Sequence, residues 1–479
     1  MSIIRNTAYN VAGLGLPLLA ALVCIPYLIA QLGAERFGIL TLIWAVVSYF
    51  GIFDLGMARA LTQRLAALRR LGQTKEIAAT CNSALLTLIV LSLLGALSMF
   101  LAAGVLVGWI GGVSRPEETV SATRIVALSL PAVILTAGYR GILEAFEKFK
   151  VINIIRVPQG LFTFVAPAVL LALRPRAGLD EIALVLAVGR YVFLGLHQWA
   201  CSKATRRETG AGLLTLPNLR QLLVQGGWIT VSNVISQMVS YIDRFVIGAV
   251  ITAQAVALFV TPLEIVLKLW ILPGALTAVL FPRMAQIASQ GAGAGADLYR
   301  QSLVLIGLVV LPLAAAMSIY SSEILLVWIS SEFARDSALV MSILACGMLM
   351  GCLGQIGFTQ IQGLGQARWT ALIYIVELPL YGAAVWWAAS KFGIAGVAWV
   401  WFARVTVDTL AMNEVAQRLM RNVSVATWML LPAFGLTTAA LMSAAHSGSF
   451  AVKHTVFAMV LTLSLAGLLR MRRFAGVLG

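Results

Sequence analysis

Residues 81–109 read CNSALLTLIVLSLLGALSMFLAAGVLVGW, and from Ile77 to Ser114 there is not one Asp, Glu, Lys or Arg. An α-helix needs about 20 mostly apolar residues to cross roughly 30 Å of hydrocarbon, so this stretch alone is long enough to span a bilayer. Taking charged, Gly and Pro clusters as boundaries, comparable runs fall at 11–32, 37–58, 81–109, 122–143, 152–173, 180–201 and 227–250. They continue at 255–280, 301–320, 337–360, 370–389, 394–413, 427–446 and 453–470. The predicted fold class is therefore an all-α integral membrane protein of about 14 transmembrane helices, within a range of 12 to 14 set by the weak last pair. A β-barrel would instead show short alternating strands. The first run holds Pro17 and Pro26, exceeds a signal-peptide core, and is read as a retained first helix.

Composition excludes a soluble chain: 60% of the 479 residues are apolar and 11% charged, with a mean hydropathy of +0.94. The formal charge of +15 is distributed as topology rather than as a nucleic-acid surface, because the basic residues occupy short loops. One set of loops carries Arg64, Arg69, Arg70, Lys75, Lys148, Lys150, Lys203, Arg206, Arg207, Arg220, Arg283, Arg368, Arg418 and Arg421, followed by Arg470, Arg472 and Arg473. The opposite loops hold only Arg36, Arg115, Arg174, Arg176, Arg335, Lys391 and Lys453, several beside acids such as Glu35, Glu117 and Glu118. Lys/Arg excess marks the cytoplasmic side, which places both termini there.

A weak internal repeat lays residues 32–64 over 251–283 and, with nearly the same offset, Lys150 over Arg368. Repeating an even number of spans gives lobes of the same orientation, here two six-helix lobes related by a pseudo-two-fold along the membrane normal, plus a C-terminal helix pair. The expected division is an N-terminal lobe at 1–201, a basic cytoplasmic linker at 202–226, a second lobe at 227–413, and an additional helix pair with a basic tail at 414–479. The linker reads equally as a solvated strand of chain or as an amphipathic helix on the inner leaflet. The run Gly291-Ala292-Gly293-Ala294-Gly295-Ala296 is a flexible loop, since no strand precedes it and no GKS or GKT follows.

Loops too short for a soluble catalytic domain confine the function to the membrane. No HExxH, GxSxG or Walker loop occurs, and His197, His446 and His454 are the only histidines. Cys24, Cys81, Cys201, Cys346 and Cys352 lack metal-ligand spacing. The expectation is a non-enzyme with no cofactor, no metal and no disulfide.

Ionisable groups at hydrocarbon depth cost roughly 3 kcal/mol or more each, so those within spans normally face a polar interior. The cations are Arg190, Arg244, Lys268 and Arg404; the acids are Asp243, Glu264, Glu377 and Asp408. Glu264 with Lys268, and Arg404 with Asp408, stand four residues apart on one helix face, where each pair can neutralise itself. Arg190, Arg244 and Glu377 lack such a partner one turn away, and Asp243 points about 100° from Arg244. Arginine suits phosphate because its planar fork forms bidentate hydrogen bonds. Asp54, Arg59 and Arg140 lie near cytoplasmic span ends, as snorkelling charges or as the mouth of a cavity. Trp44, Tyr49, Tyr241, Trp270, Tyr374 and Tyr381 are sugar-stacking surfaces or packing residues.

Three stretches carry a family resemblance: Arg5-Asn6-Thr7; Leu32-Gly33-Ala34-Glu35-Arg36-Phe37-Gly38; and Phe53-Asp54-Leu55-Gly56-Met57-Ala58-Arg59-Ala60-Leu61. Tyr139-Arg140-Gly141-Ile142-Leu143-Glu144-Ala145, Asp243-Arg244 and Phe281-Pro282-Arg283 extend it. Over residues 1–420 the chain resembles the polysaccharide-biosynthesis (O-antigen flippase, Wzx-like) branch of the multidrug/oligosaccharidyl-lipid/polysaccharide (MOP) exporter superfamily. The resemblance implies a flippase of the bacterial inner membrane, moving undecaprenyl-diphosphate-linked oligosaccharide from the cytoplasmic to the periplasmic leaflet by alternating access. It also implies coupling to a proton or sodium gradient, with polysaccharide-assembly membrane proteins as partners. The implied cationic cavity draws on Arg244 and Lys268 first, then Arg190, Arg404, Arg59 and Arg140; Glu264, Glu377, Asp408, Asp54 and Asp243 serve ion coupling or charge pairing. Two other readings stand beside it. A cation-coupled drug antiporter would favour acidic and aromatic cavity residues, and an intramembrane glycan polymerase or ligase would need a substantial periplasmic loop.

Overall fold

The computed structural model describes residues 2–50, 61–62, 64–65, 68–69, 71–205, 235, 238–274, 276–277, 296–364, 366–420, 437–438, 440–443 and 449–474. Asp54, Arg59, Arg283, residues 291–295 of the Gly-Ala run and most of the basic linker lie outside them. Among the described residues the regular structure is helical throughout, as the uninterrupted apolar runs require. In hydrocarbon only a helix satisfies every backbone donor and acceptor within one segment.

The helices are α1 (Ser2–Phe50), α2 (Thr74–Gly108), α3 (Pro116–Ala145), α4 (Phe149–Leu173), α5 (Leu179–Thr205) and α6 (Ala253–Val266). A 3₁₀ turn, Leu267–Trp270, leads on to α7 (Ala296–Ile319), α8 (Ser321–Trp328), α9 (Ser331–Gly363), α10 (Ala367–Leu419) and α11 (Phe450–Phe474). Nine helices among the described residues are long and apolar enough to cross a membrane. Two of them, α1 and α10, run for 49 and 53 residues, roughly 75–80 Å at 1.5 Å per residue, more than twice a bilayer core. Each is broken at one glycine, Gly33 (φ 76°, ψ 163°) and Gly393 (φ 61°, ψ −152°). Positive φ combined with extended ψ is a backbone region that essentially only glycine enters.

The chain forms two compact units, Met1–Ala257 and Leu258–Gly479. In the first, α3 packs against α2 and α5, and α4 against α1. Leu61, Leu65, Leu68, Ile142, Leu143 and Phe146 join one apolar cluster. Above it Thr62 donates to the Gly141 carbonyl at 2.9 Å, Arg69 donates to the Ala145 carbonyl at 2.8 Å, and the Arg69 guanidinium lies 4.5 Å over the Phe146 ring. At the other end Glu118 accepts from Arg36, from Arg115 at 3.4 Å, and from the Leu179 backbone N–H. One carboxylate therefore ties together the stretch after the Gly33 break and the starts of α3 and α5.

In the second unit α9 is the central helix, and its N-cap Ser330 accepts from the Phe333 N–H at 3.2 Å. Gly347, Gly351, Gly354 and Gly357 form a stripe against which the second arm of α10 lies. A Cβ at Gly354 would meet Thr409 Oγ1 at 2.7 Å, and one at Gly357 the Met412 backbone at 3.0 Å. Small residues are what let membrane helices approach this closely. The approach lets Thr409 donate to the Met350 carbonyl at 2.8 Å, while Tyr299 of α7 bonds to Asn413. Large side chains point outward instead: on α2, Leu93, Leu97, Leu101 and Val105 are all more than half exposed. A protein surrounded by lipid gains nothing by hiding them.

Candidate functional site

The break at Gly393 folds α10 into two antiparallel arms, Glu377 on the first facing Arg404 on the second. Their outer face forms a groove of about 870 Å³ lined by residues from Trp369 to Ala384 and from Val400 to Leu419. Its walls are apolar, with Val376, Leu380 and Val407 all more than 60% exposed. Its floor is charged. Arg404 Nη1 donates to Glu377 Oε1 at 3.2 Å, both side chains about 15% exposed, and the guanidinium sits 5.0 Å over the Tyr381 ring. Asp408 lies one helical turn beyond Arg404 on the same groove face. Its Oδ1 is buried and accepts no hydrogen bond among the described residues. At one end of the groove Arg418 pairs with Glu414 in an exposed intrahelical bridge.

The tertiary fold thus gives Arg404 a partner that helix periodicity does not reveal. Sequence spacing matches Arg404 to Asp408 and leaves Glu377 alone, whereas the hairpin brings Glu377 across to Arg404. The available signal was that Glu377 and Arg404 stand at nearly equal distances in sequence on either side of Lys391. Two spans that turn back there must place them at one depth.

The other candidates are dispersed. Glu264 and Lys268 form the expected pair one turn apart, at 3.3 Å and about 40% exposed. In the first unit Asp243 and Arg244 are 1% and 5% exposed. Asp243 Oδ1 accepts the Arg244 backbone N–H at 2.7 Å, and the Arg244 guanidinium lies 4.8 Å over the Tyr241 ring. A ligand reaches Arg244 only in a conformation that uncovers it. Arg140 bridges Glu144 within α3 at 3.6 Å, the side chains 47% and 38% exposed. Arg190 on α5 is half-buried and makes neither hydrogen bond nor ion pair among the described residues.

The chain matches the family described as "Polysaccharide biosynthesis protein" over residues 3–288. It is 31% identical over 441 residues to the putative O-antigen transporter of Shigella flexneri, covering 88% of this chain and 99% of that protein. A second relative, the probable low-salt glycan biosynthesis flippase Agl15 of Haloferax volcanii, is 25% identical over 397 residues, with 81% of this chain and 77% of that protein covered. Among solved structures, the lipid II flippase MurJ in an inward closed conformation superposes with a TM-score of 0.72 at 12% identity, over 97% of this chain and 99% of that one. An inward-facing multidrug resistance MATE family transporter of the MOP superfamily gives 0.69 at 12% identity, over 89% and 99%. These two show the fold.

Proposed function

Given that the chain belongs to the polysaccharide biosynthesis protein family, we propose that it carries an undecaprenyl-diphosphate-linked oligosaccharide from the cytoplasmic to the periplasmic leaflet of the bacterial inner membrane. It is a lipid-linked glycan flippase. The observation that carries this is the match to the O-antigen transporter along 99% of that protein's length. The likeness therefore runs through the whole of that protein rather than through one domain alone.

The physical task is to bring a charged, hydrated head group through hydrocarbon. Stripping water from each charge costs several kcal/mol even after relaxation, and a flippase lowers that cost by replacing water with fixed cations. Arg190 supports this role, because it is charged, half-buried and unspent on structure among the described residues. Arg244 and Lys268 are the further diphosphate contacts in this reading. Arg404 is engaged by Glu377 and belongs to a different task.

The proposed architecture has fourteen spans: six in each of two lobes, 1–201 and 227–413, joined by the basic linker 202–226 and followed by the pair within 414–479. Both termini are cytoplasmic, by the Lys/Arg bias of the loops. Alternating access follows from rocking of one lobe against the other, with the polyprenyl chain left in lipid and a proton or sodium gradient setting direction.

The test is translocation in proteoliposomes. A labelled lipid-linked oligosaccharide is incorporated, and its accessibility to a membrane-impermeant glycan-modifying enzyme is followed over time. Protein-dependent transfer between leaflets is the expected result. Folded protein that moves none of several glycans would overturn the assignment.

A further inference from the structure

Arg124 of α3 is exposed, and among the described residues it makes no hydrogen bond and no ion pair. Its guanidinium lies 5.3 Å from the centre of the Phe100 ring on α2. Other cations at this end of the unit are neutralised: Arg36 and Arg115 share Glu118, and Arg174 holds Glu181 at 2.7 Å. Arg124 stands just inside the apolar run 122–143, at the end of the spans where Lys and Arg are otherwise scarce.

Glu117, Ser121, Arg124 and Leu128 follow one another at intervals of four, three and four, so they share one face of α3, while Thr119, Ala122, Thr123, Val126 and Ala127 are buried. Flanking that face are α2 and α5, both packed against α3; the Tyr191 hydroxyl of α5 donates to the Leu128 carbonyl at 2.7 Å. Both borders suit lipid: Leu97 and Leu101 of α2 and Leu184 and Val188 of α5 are all more than half exposed. Helical side chains lean toward the helix N-terminus, and that of α3 lies just beyond the apolar run, so the guanidinium reaches toward the head-group layer. Glu117 is exposed, has no bonding partner among the described residues, and stands two turns, about 10 Å, farther out.

An arginine fork on a lipid-facing surface matches a phosphate, and a carboxylate beyond it matches an ammonium group. Free phosphate would leave the leucines unused, and a neighbouring helix bearing one acid would leave Glu117 unmatched. We propose that this face of α3 is a specific site for an amine-bearing phospholipid of the leaflet at the start of α3, which the loop charges make the outer one. The phosphate sits on Arg124, the ammonium at Glu117, and the acyl chains lie along Leu97, Leu128 and Val188.

Native mass spectrometry of the purified full-length protein tests this, titrating phosphatidylethanolamine and phosphatidylglycerol with identical acyl chains. Wild type retains phosphatidylethanolamine in preference to phosphatidylglycerol. Arg124→Gln weakens binding of both about tenfold or more, because both carry the phosphate. Glu117→Gln removes the preference and leaves phosphatidylglycerol bound at least as well as before. Arg176→Gln, which removes an exposed cation from the loop before α5, changes neither. Melting temperatures near wild type identify folded variants. Three results overturn the proposal: Arg124→Gln binding lipid as well as Arg176→Gln does; soluble glycerophosphoethanolamine displacing the lipid at equal concentration, which marks a phosphate site; or a dimer that Arg124→Gln abolishes, which gives the face to a second copy of the chain.

Discussion

Arg404 Nη1 donates to Glu377 Oε1 at 3.2 Å across the two arms of α10, 27 residues apart in sequence, with both side chains largely withdrawn from the surface. This bond joins two spans at one depth, so its two halves are not interchangeable with neutral residues one at a time.

Removing Arg404 leaves Glu377 and Asp408 facing each other with no cation between them. Arg404→Leu is expected to destabilise the protein by about 2–4 kcal/mol, read as a lowered melting temperature in detergent. The double change Arg404→Leu with Glu377→Leu should recover most of that loss, because an apolar pair suits its surroundings. A double variant no better than the single one would show that the pair is not the source of the effect.

Arg190 behaves oppositely in this account. With no bonding partner among the described residues, Arg190→Ala should leave stability within about 0.5 kcal/mol of wild type. Transfer of a diphosphate-linked glycan should fall about tenfold or more through loss of a charge-assisted contact. If Arg190→Ala and Arg244→Ala both transport at the wild-type rate, the cationic part of the mechanism is wrong.

The glycine stripe of α9 gives a packing prediction with an internal control. At Gly354 a new side chain runs into Thr409, whereas at Gly104 of α2 an added Cβ meets nothing within 4 Å. Gly354→Leu is expected to cost about 1–3 kcal/mol or more, and Gly104→Leu close to nothing. Thermal unfolding of the two variants side by side checks it.

Gly33 and Gly393 test the breaks that turn two long apolar runs into shorter segments. Neither position is crowded, with no atom within 4 Å of an added Cβ, so any penalty is purely conformational. Gly393→Ala should cost about 1–3 kcal/mol despite the open space. A neutral result at both positions would mean that the chain turns without using positive φ.

The sequence by itself determined the membrane class, the all-helical backbone and, through the spacing of its apolar runs, where most described helices lie. The reason is local: a segment such as 81–109 has no other way to satisfy its backbone in hydrocarbon. Within a helix, spacing also found the Glu264–Lys268 pair, since residues four apart share a face. Periodicity says nothing about which face of one span meets which face of another. The Arg404–Glu377 bond, the seating of Thr409 against Gly354 and the gathering of Glu377, Arg404 and Asp408 on the floor of one apolar groove were therefore decided only by tertiary structure. They depend on where two arms turn at Gly393 and on how closely glycine lets them approach α9, and both are properties of packed pairs of helices rather than of any single one.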